Sequence, residues 1–160
     1  MTNVSVILPC FNGSRWINQA IESVLNQTYE NYELIVIDDG STDNSREIIS
    51  SYTDPRIRYI YQKNRGFSGA INRGISESTG FFIAFIGQDD IWVSNKLSLQ
   101  VKYLGENKNI DLVHSNYCFI GSENRFLKYR RLKIPSYNSK QDFIRHLFLD
   151  NYIGFETVLL

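Results

Sequence analysis

The sequence predicts an α/β fold, a mostly parallel central sheet flanked by helices, as a single domain over residues 1–160. Three observations predict it. Short β-branched runs alternate with apolar patterns of helical period through the first half of the chain. The run 33–37 (ELIVI) is apolar almost without interruption, as a strand covered on both faces requires. Clusters of polar turn formers follow these runs directly, and parallel strands joined by helices imply right-handed crossovers.

The elements follow in order. Residues 4–8 are the first strand, which stops at Pro9 because proline has no N–H for a central ladder. After Asn12-Gly13, the positions Trp16, Ile17, Ala20, Ile21, Val24 and Leu25 recur at helical spacing. The second strand, 33–37, ends in Asp38-Asp39-Gly40-Ser41-Thr42-Asp43, turn formers and N-caps that open a helix over 43–51. Residues 57–61 make a third strand and 66–78 a third helix. Gly80 precedes 81–86 (FFIAFI), the most apolar strand, which runs into Gly87-Gln88-Asp89-Asp90. A helix over 95–107 follows, then strand-like runs at 110–113 and 117–120. A basic stretch, 125–133, and a helix over 140–149 lead to the apolar residues 153–160.

Composition narrows the function classes. Lys and Arg total 17 against 17 acids, so no bulk charge attracts nucleic acid. Cys10 and Cys118 have no metal-ligand spacing and read as reduced, buried thiols. No basic region followed by an apolar stretch opens the chain, and no apolar run approaches the ~20 residues that span a bilayer. The expectation is a cytoplasmic protein whose membrane contact, if any, is peripheral. His114 and His146 read as structural or surface residues, Trp16 and Trp92 as packing.

Three polar clusters fall where strands end: Pro9-Cys10-Phe11-Asn12, Asp38-Asp39 and Asp89-Asp90. In an open parallel sheet, ligands bind outside these carboxyl ends. Paired aspartates offer hard oxygen ligands for magnesium or manganese, ions that keep open positions for phosphate oxygens. The alternative is that each pair only caps the following helix. One ion bound with a diphosphate needs one or two carboxylates, so the other pair is free to accept hydrogen bonds from a base or ribose. Lys63, Arg65 and Arg73 flank the turn Asn64-Arg65-Gly66-Phe67-Ser68-Gly69, whose N–H groups suit a phosphate or simply open the helix.

Taken in order, VSVILPCFN, ESVLNQTYENYELIVIDDGSTDNS, NRGFSGAINRGISESTG and FIGQDDIWVSNKL resemble glycosyltransferase family 2, whose members have the Rossmann-like GT-A fold. The resemblance is close over residues 4–104 and thin beyond. It implies an inverting glycosyltransferase that takes a nucleoside diphosphate sugar, expected to be a UDP-sugar, and passes the sugar to a glycan or lipid-linked acceptor. By the same resemblance Asp38 contacts the base, Pro9, Phe11 and Asn12 wall its pocket, and Asp39 lies beside base and ribose. Asn64, Gly66 and Arg73 lie along the nucleotide-sugar pocket, and Asp89 and Asp90 hold Mg or Mn against the donor diphosphate.

Two departures stand out. Gly87 occupies the first acidic position of the family's Asp-x-Asp-Asp motif, which predicts weaker metal affinity. The family's general base lies in a Glu-Asp pair that residues 105–160 do not contain, so the base is expected beyond Leu160 and the chain is expected to be truncated. Both departures also suit a non-catalytic nucleotide-sugar-binding module. A dinucleotide dehydrogenase needs glycines directly after the first strand, which Pro9-Cys10-Phe11-Asn12-Gly13 lacks. An aspartyl phosphatase would want Asp-x-Asp there. Finally, Arg125, Lys128, Arg130, Arg131 and Lys133 face a single acid, Glu123. They read as a solvated edge strand or as an attraction to anionic lipid.

Overall fold

The computed structural model describes residues 3–121, 125–130, 139 and 154–160, with only the backbone of 129 and 130. The elements are β1 (Val4–Cys10), α1 (Ile17–Leu25), β2 (Tyr32–Asp38), α2 (Ser45–Ser50), β3 (Ile57–Tyr61), α3 (Gly66–Glu77), β4 (Phe82–Phe85), α4 (Lys96–Glu106), β5 (Tyr117–Ile120) and β6 (Phe126–Arg130). A 3₁₀ turn, Phe155–Thr157, follows.

The first four strands form one parallel sheet in the order β3-β2-β1-β4. The chain lays β2 and β3 outward from β1 and then returns to the far side of β1 for β4. The strand order therefore reverses between β1 and β4, where such sheets leave a crevice for ligands. Every residue of β1 and β2 is buried, which explains why they are apolar apart from Ser5, Glu33 and Asp38.

Strand alternation divides the core in two. Val4, Val6, Leu8, Leu34 and Val36 share one face with Ile17, Ala20, Ile21 and Val24 of α1, Ile49 of α2, and Leu97 and Leu104 of α4. Ile35 and Ile37 face the other way, against Ala70 of α3. Helix α3 approaches β1 so closely that a Cβ on Gly74 would collide with Ile7 Cγ2.

At the start of the strands one carboxylate joins several of them. Glu33 Oε1 accepts from Ser5 Oγ at 2.7 Å, Thr79 N–H at 2.8 Å and Thr79 Oγ1 at 2.6 Å. Its Oε2 accepts from Arg58 Nη1 at 2.8 Å. Burial by itself would raise the Glu33 pKa, but the donors from Thr79, Arg58 and Ser5 outweigh it and hold the carboxyl down to about 2.

Three expectations change. The first strand does not stop at Pro9: it runs on to Cys10, with Pro9 opposite Ile37 and Cys10 opposite Asp38, since a proline removes one donor and leaves the strand extended. Residues 110–113 are not a strand: Val113 makes a single antiparallel bridge to Leu159, while Asp111 and Leu112 are exposed, with no partner surface among the described residues. Cys118 is exposed rather than buried, because β5 pairs only with β6 in a separate antiparallel ribbon, with no covering layer among the described residues. The expected helix over 140–149 lies outside the described residues. Residues 159 and 160 run antiparallel beside β4, through Ile83 N–H to Leu160 O at 2.7 Å and the return bond at 3.0 Å. No helix among the described residues is long and apolar enough to cross a membrane.

Gly74→Ala is expected to cost about 1–3 kcal/mol, since α3 and β1 must separate to admit a methyl group; chemical denaturation measures this. Glu33→Ala removes the acceptor shared by four donors and is expected to cost about 2–4 kcal/mol. The Glu33 contribution also has a pH window. An unfolded glutamate takes its proton near 4.3, above the folded value of about 2. The unfolded state therefore binds the proton first, and this stabilisation, full above about pH 4.3, falls away toward pH 2. The acid-unfolding curve of Glu33→Gln should lack that component.

Candidate functional site

The crevice at the strand-order reversal holds a cavity of about 360 Å³. Pro9, Cys10 and Phe11 line it from the end of β1, and Asp39 from just past β2. Asn64, Gly66, Phe67 and Ala70 come from the start of α3, and Gly87, Gln88 and Asp89 from the loop after β4. All three polar clusters seen in the sequence thus reach one place.

The two aspartates after β2 part company. Asp38 is fully buried, its Oδ1 accepting from Ser41 N–H at 2.8 Å and its Oδ2 from the Tyr59 hydroxyl at 2.7 Å. It continues the even-numbered face of Leu34 and Val36, into the α1–α2 core. The expectation that Asp38 faces a base is therefore corrected. Asp39 continues the face of Ile35 and Ile37, toward α3, and this is what brings it to the cavity. Gln62 Nε2 at 2.6 Å and the N–H of Arg65 at 2.8 Å both donate to its Oδ1.

Asn12 and Arg73 also differ from expectation. Asn12 (φ 50°) turns its Oδ1 to the Thr42 N–H at 2.8 Å, so it laces the loops after β1 and β2 rather than walling the cavity. Arg73 sits seven residues past Gly66, roughly 10 Å along the helix. It pairs with Glu77 at 2.8 Å, away from the cavity. Asn64 and Gly66 line the cavity. Gly66 opens α3 at φ 75°, in the left-handed region that favours glycine. Asn64 Oδ1 accepts its N–H at 3.2 Å.

The acidic loop is sparsely satisfied. Asp90 Oδ2 accepts one described bond, from Gly87 N–H at 3.1 Å. Burial, then the charges of Glu156 and Asp89, push the Asp90 carboxyl up to about 6. A Cβ at Gly87 would meet Asp90 Oδ2, so a side chain at 87 would require the Asp90 carboxylate to move. Among the described residues no three His, Cys, Asp or Glu side chains form a cage for an ion. Asp89 at the cavity, with the under-satisfied Asp90 next to it in the chain, nonetheless fits Mg or Mn, which bind through one or two carboxylates and leave the rest to phosphate and water.

Several residues had no sequence signal. Gln88 was visible only as the variable position of the acidic motif. Glu156 arrives from the far end of the chain. The turn that carries it is tied down by Trp92 Nε1 to Glu156 O at 3.0 Å and Gln100 Nε2 to Thr157 O at 2.7 Å. Beside it, the Phe155 ring lies 4.6 Å from Phe85 and 5.2 Å from Phe67. Trp92 is buried core, as expected, with Lys96 Nζ 4.1 Å over its ring. Burial pushes the Lys96 pKa down to about 7.

The family model described as Glycosyl transferase family 2 matches residues 5–158. An uncharacterized glycosyltransferase of Rickettsia bellii is 48% identical over 126 residues, 78% of this chain and 18% of that protein. The Escherichia coli UDP-Glc:alpha-D-GlcNAc-diphosphoundecaprenol beta-1,3-glucosyltransferase WfgD is 38% identical over 136 residues, 84% of this chain and 53% of that protein. The chain thus spans 18% of one of these curated relatives and 53% of the other. Among solved structures, Staphylococcus aureus TarS 1-349 in complex with UDP-GlcNAc superposes with a TM-score of 0.65 at 24% identity, over 69% of this chain and 33% of that one. The mannosyltransferase PcManGT of Pyrobaculum calidifontis, in complex with GDP-Man and Mn2+, gives a TM-score of 0.65 at 24% identity, over 74% of this chain and 36% of that one. With a GT-A α/β sheet, a cavity at its strand-order reversal and a family match over nearly all its length, this chain belongs to glycosyltransferase family 2.

Proposed function

We propose that this chain binds the nucleoside diphosphate sugar, a UDP-sugar, of an inverting glycosyltransferase. The observation that carries the reading is one cavity with an acceptor carboxylate, Asp39, on one side and Asp89, the chain neighbour of Asp90, on the other. An ionised carboxylate only accepts, which matches the single N–H of a uracil edge. Asp39 takes the base contact that the sequence assigned to Asp38, with Gln62 and the Arg65 N–H fixing its orientation. Pro9 and Phe11 wall the base, Asn64 and Gly66 lie along the ribose and phosphates, and Asp89 and Asp90 hold Mg or Mn. Solved proteins of this fold holding UDP-GlcNAc, or GDP-Man with Mn2+, support a nucleotide sugar and a divalent ion.

When bound, the ion supplies Lewis-acid stabilisation of the departing nucleoside diphosphate, worth several kcal/mol. The chain's own residues orient the donor so that an acceptor hydroxyl meets the anomeric carbon opposite the leaving group, which inverts configuration. The acceptor is a glycan or lipid-linked sugar, in keeping with the diphosphoundecaprenol acceptor of WfgD.

Lipid contact has its own support. Phe119, Phe126 and Leu127 are exposed on the β5–β6 ribbon beside exposed Arg125 and Lys128. Apolar rings among basic groups suit an anionic lipid surface, where each such charge adds about 1 kcal/mol. The protein is expected to sediment with phosphatidylglycerol vesicles and not with phosphatidylcholine, and Lys128→Glu should weaken that binding. Equal sedimentation with both lipids would argue against it.

The donor site is tested by calorimetric titration of UDP with manganese or with chelator. Binding is expected only with manganese, to vanish in Asp89→Ala/Asp90→Ala, and to survive Lys102→Ala, a surface change. Asp39→Asn should weaken UDP by about tenfold or more, the loss of one charge-assisted hydrogen bond. Arg73→Ala, away from the cavity, should change it less than twofold. Failure of UDP and every other nucleoside diphosphate to bind would sink the reading.

A further inference from the structure

Gln88 makes a contact that neither the acidic motif nor the cavity requires. Phe11 N–H donates to Gln88 Oε1 at 2.9 Å, and Gln88 Nε2 donates to the Phe11 carbonyl at 3.3 Å. One side chain thus engages both polar groups of one residue's backbone, much as a neighbouring strand would. It does so where the true ladder has ended, since the β1–β4 pairing stops at Ile7 opposite Phe85, with one further bond from Ile86 N–H to Ile7 O. Past that point the Gln88 carboxamide continues the link between the two strand ends.

The slot it occupies is fitted to it. A Cβ on Gly13 would lie 2.5 Å from Gln88 Oε1 and 2.8 Å from Cδ, so only glycine leaves room for the amide. Gly13 is itself pinned, its N–H donating to Ser45 Oγ at 2.9 Å. On one side of this clamp is Phe11, whose residue lines the cavity. On the other, the next residue in the chain is Asp89, which lines it as well. The clamp joins the two halves of the site through one short covalent and hydrogen-bonded path.

We propose that Gln88 is a positioning residue that couples the nucleoside half of the cavity to its metal-holding half. The proposal rests on the donor-site reading above. Ordering of the acidic loop by an ion fixes Gln88, Gln88 fixes the Phe11 backbone, and the base wall is then set before the nucleoside arrives. Coupling of this kind is reciprocal: the nucleoside must tighten the ion by the same factor.

Uridine is the probe, because it has no phosphate to touch an ion directly. In the unsubstituted protein, manganese is expected to tighten uridine by about fivefold, the low end of ordinary coupling between sites. Ligand-observed NMR reads the uridine affinity, and manganese paramagnetic resonance reads the reciprocal tightening of the ion. Gln88→Met fills the slot without either hydrogen bond. It should bring the coupling factor to about one while manganese alone binds within about twofold of the parent. A loss of stability would not by itself change that factor, so this readout separates positioning from mere support. Gln88→Glu, which keeps the acceptor for Phe11 N–H, should retain part of the coupling. A factor of one in the unsubstituted protein, or an unchanged factor in Gln88→Met, overturns the proposal. UDP binding with manganese in the parent separates this from failure of the donor site itself, in which case both readings fall together.

Discussion

The buried carboxylate of Glu33 gathers Ser5 of β1, Arg58 of β3 and Thr79 of the turn before β4 onto β2. These are the four strands of the sheet, and the contact sits where they begin. A carboxylate buried this far from water is tolerated only when its lone pairs are filled, and four donors fill them. The sheet is fastened at this end, so the opposite end can afford polar groups whose lone pairs are not filled. Asp90, with one described hydrogen bond and two acidic neighbours, is the counterpart: its carboxyl is pushed up to about 6, where that of Glu33 is held down to about 2. A carboxylate whose lone pairs are filled supports the fold; one with a raised pKa beside a cleft marks a candidate site.

The geometry of the cavity follows from how near α3 lies to β1. Gly74 and Ala70 present almost no side chain to the sheet, so the helix packs against Ile7, Ile35 and Ile37. That proximity carries the start of α3, with Asn64 and Gly66, over the end of β1. The Arg65 N–H then meets Asp39 directly. A bulkier residue at 74 would lift the helix, widening the cavity and breaking that contact together. Packing in the middle of the sheet thus sets the spacing of groups at its edge.

Around the acidic loop the chain uses contacts that are remote in sequence. Gln88 reaches back to Phe11, and residues 154–160 return to lie beside β4, with Phe155 against Phe67 and Phe85. Glu156 then adds a charge near Asp90 that no local pattern supplies. The glycine at the first position of the motif leaves the Asp90 carboxylate where it stands, whereas a side chain at 87 would have to displace it.

Local periodicity determined the order of strands and helices, the apolar character of β1 and β2, and the delivery of Pro9, Phe11, Asn64, Gly66 and Asp89 to strand or helix ends. Those properties depend on neighbours one to four residues apart, which a sequence displays. It also carried the family, through four motifs in order. Tertiary structure decided the rest. Asp38 and Asp39 are indistinguishable as letters, and what separates them is which helix covers which face of β2. Arg73 turns to Glu77 and Asn12 to Thr42 because of partners met in space, and Cys118 is exposed with no covering layer among the described residues. Gln88 is 77 residues from Phe11, and no pattern of side-chain period encodes a hydrogen bond across that distance. Alternation fixes the direction of a side chain relative to its own strand; only the packing of distant elements fixes what it meets there.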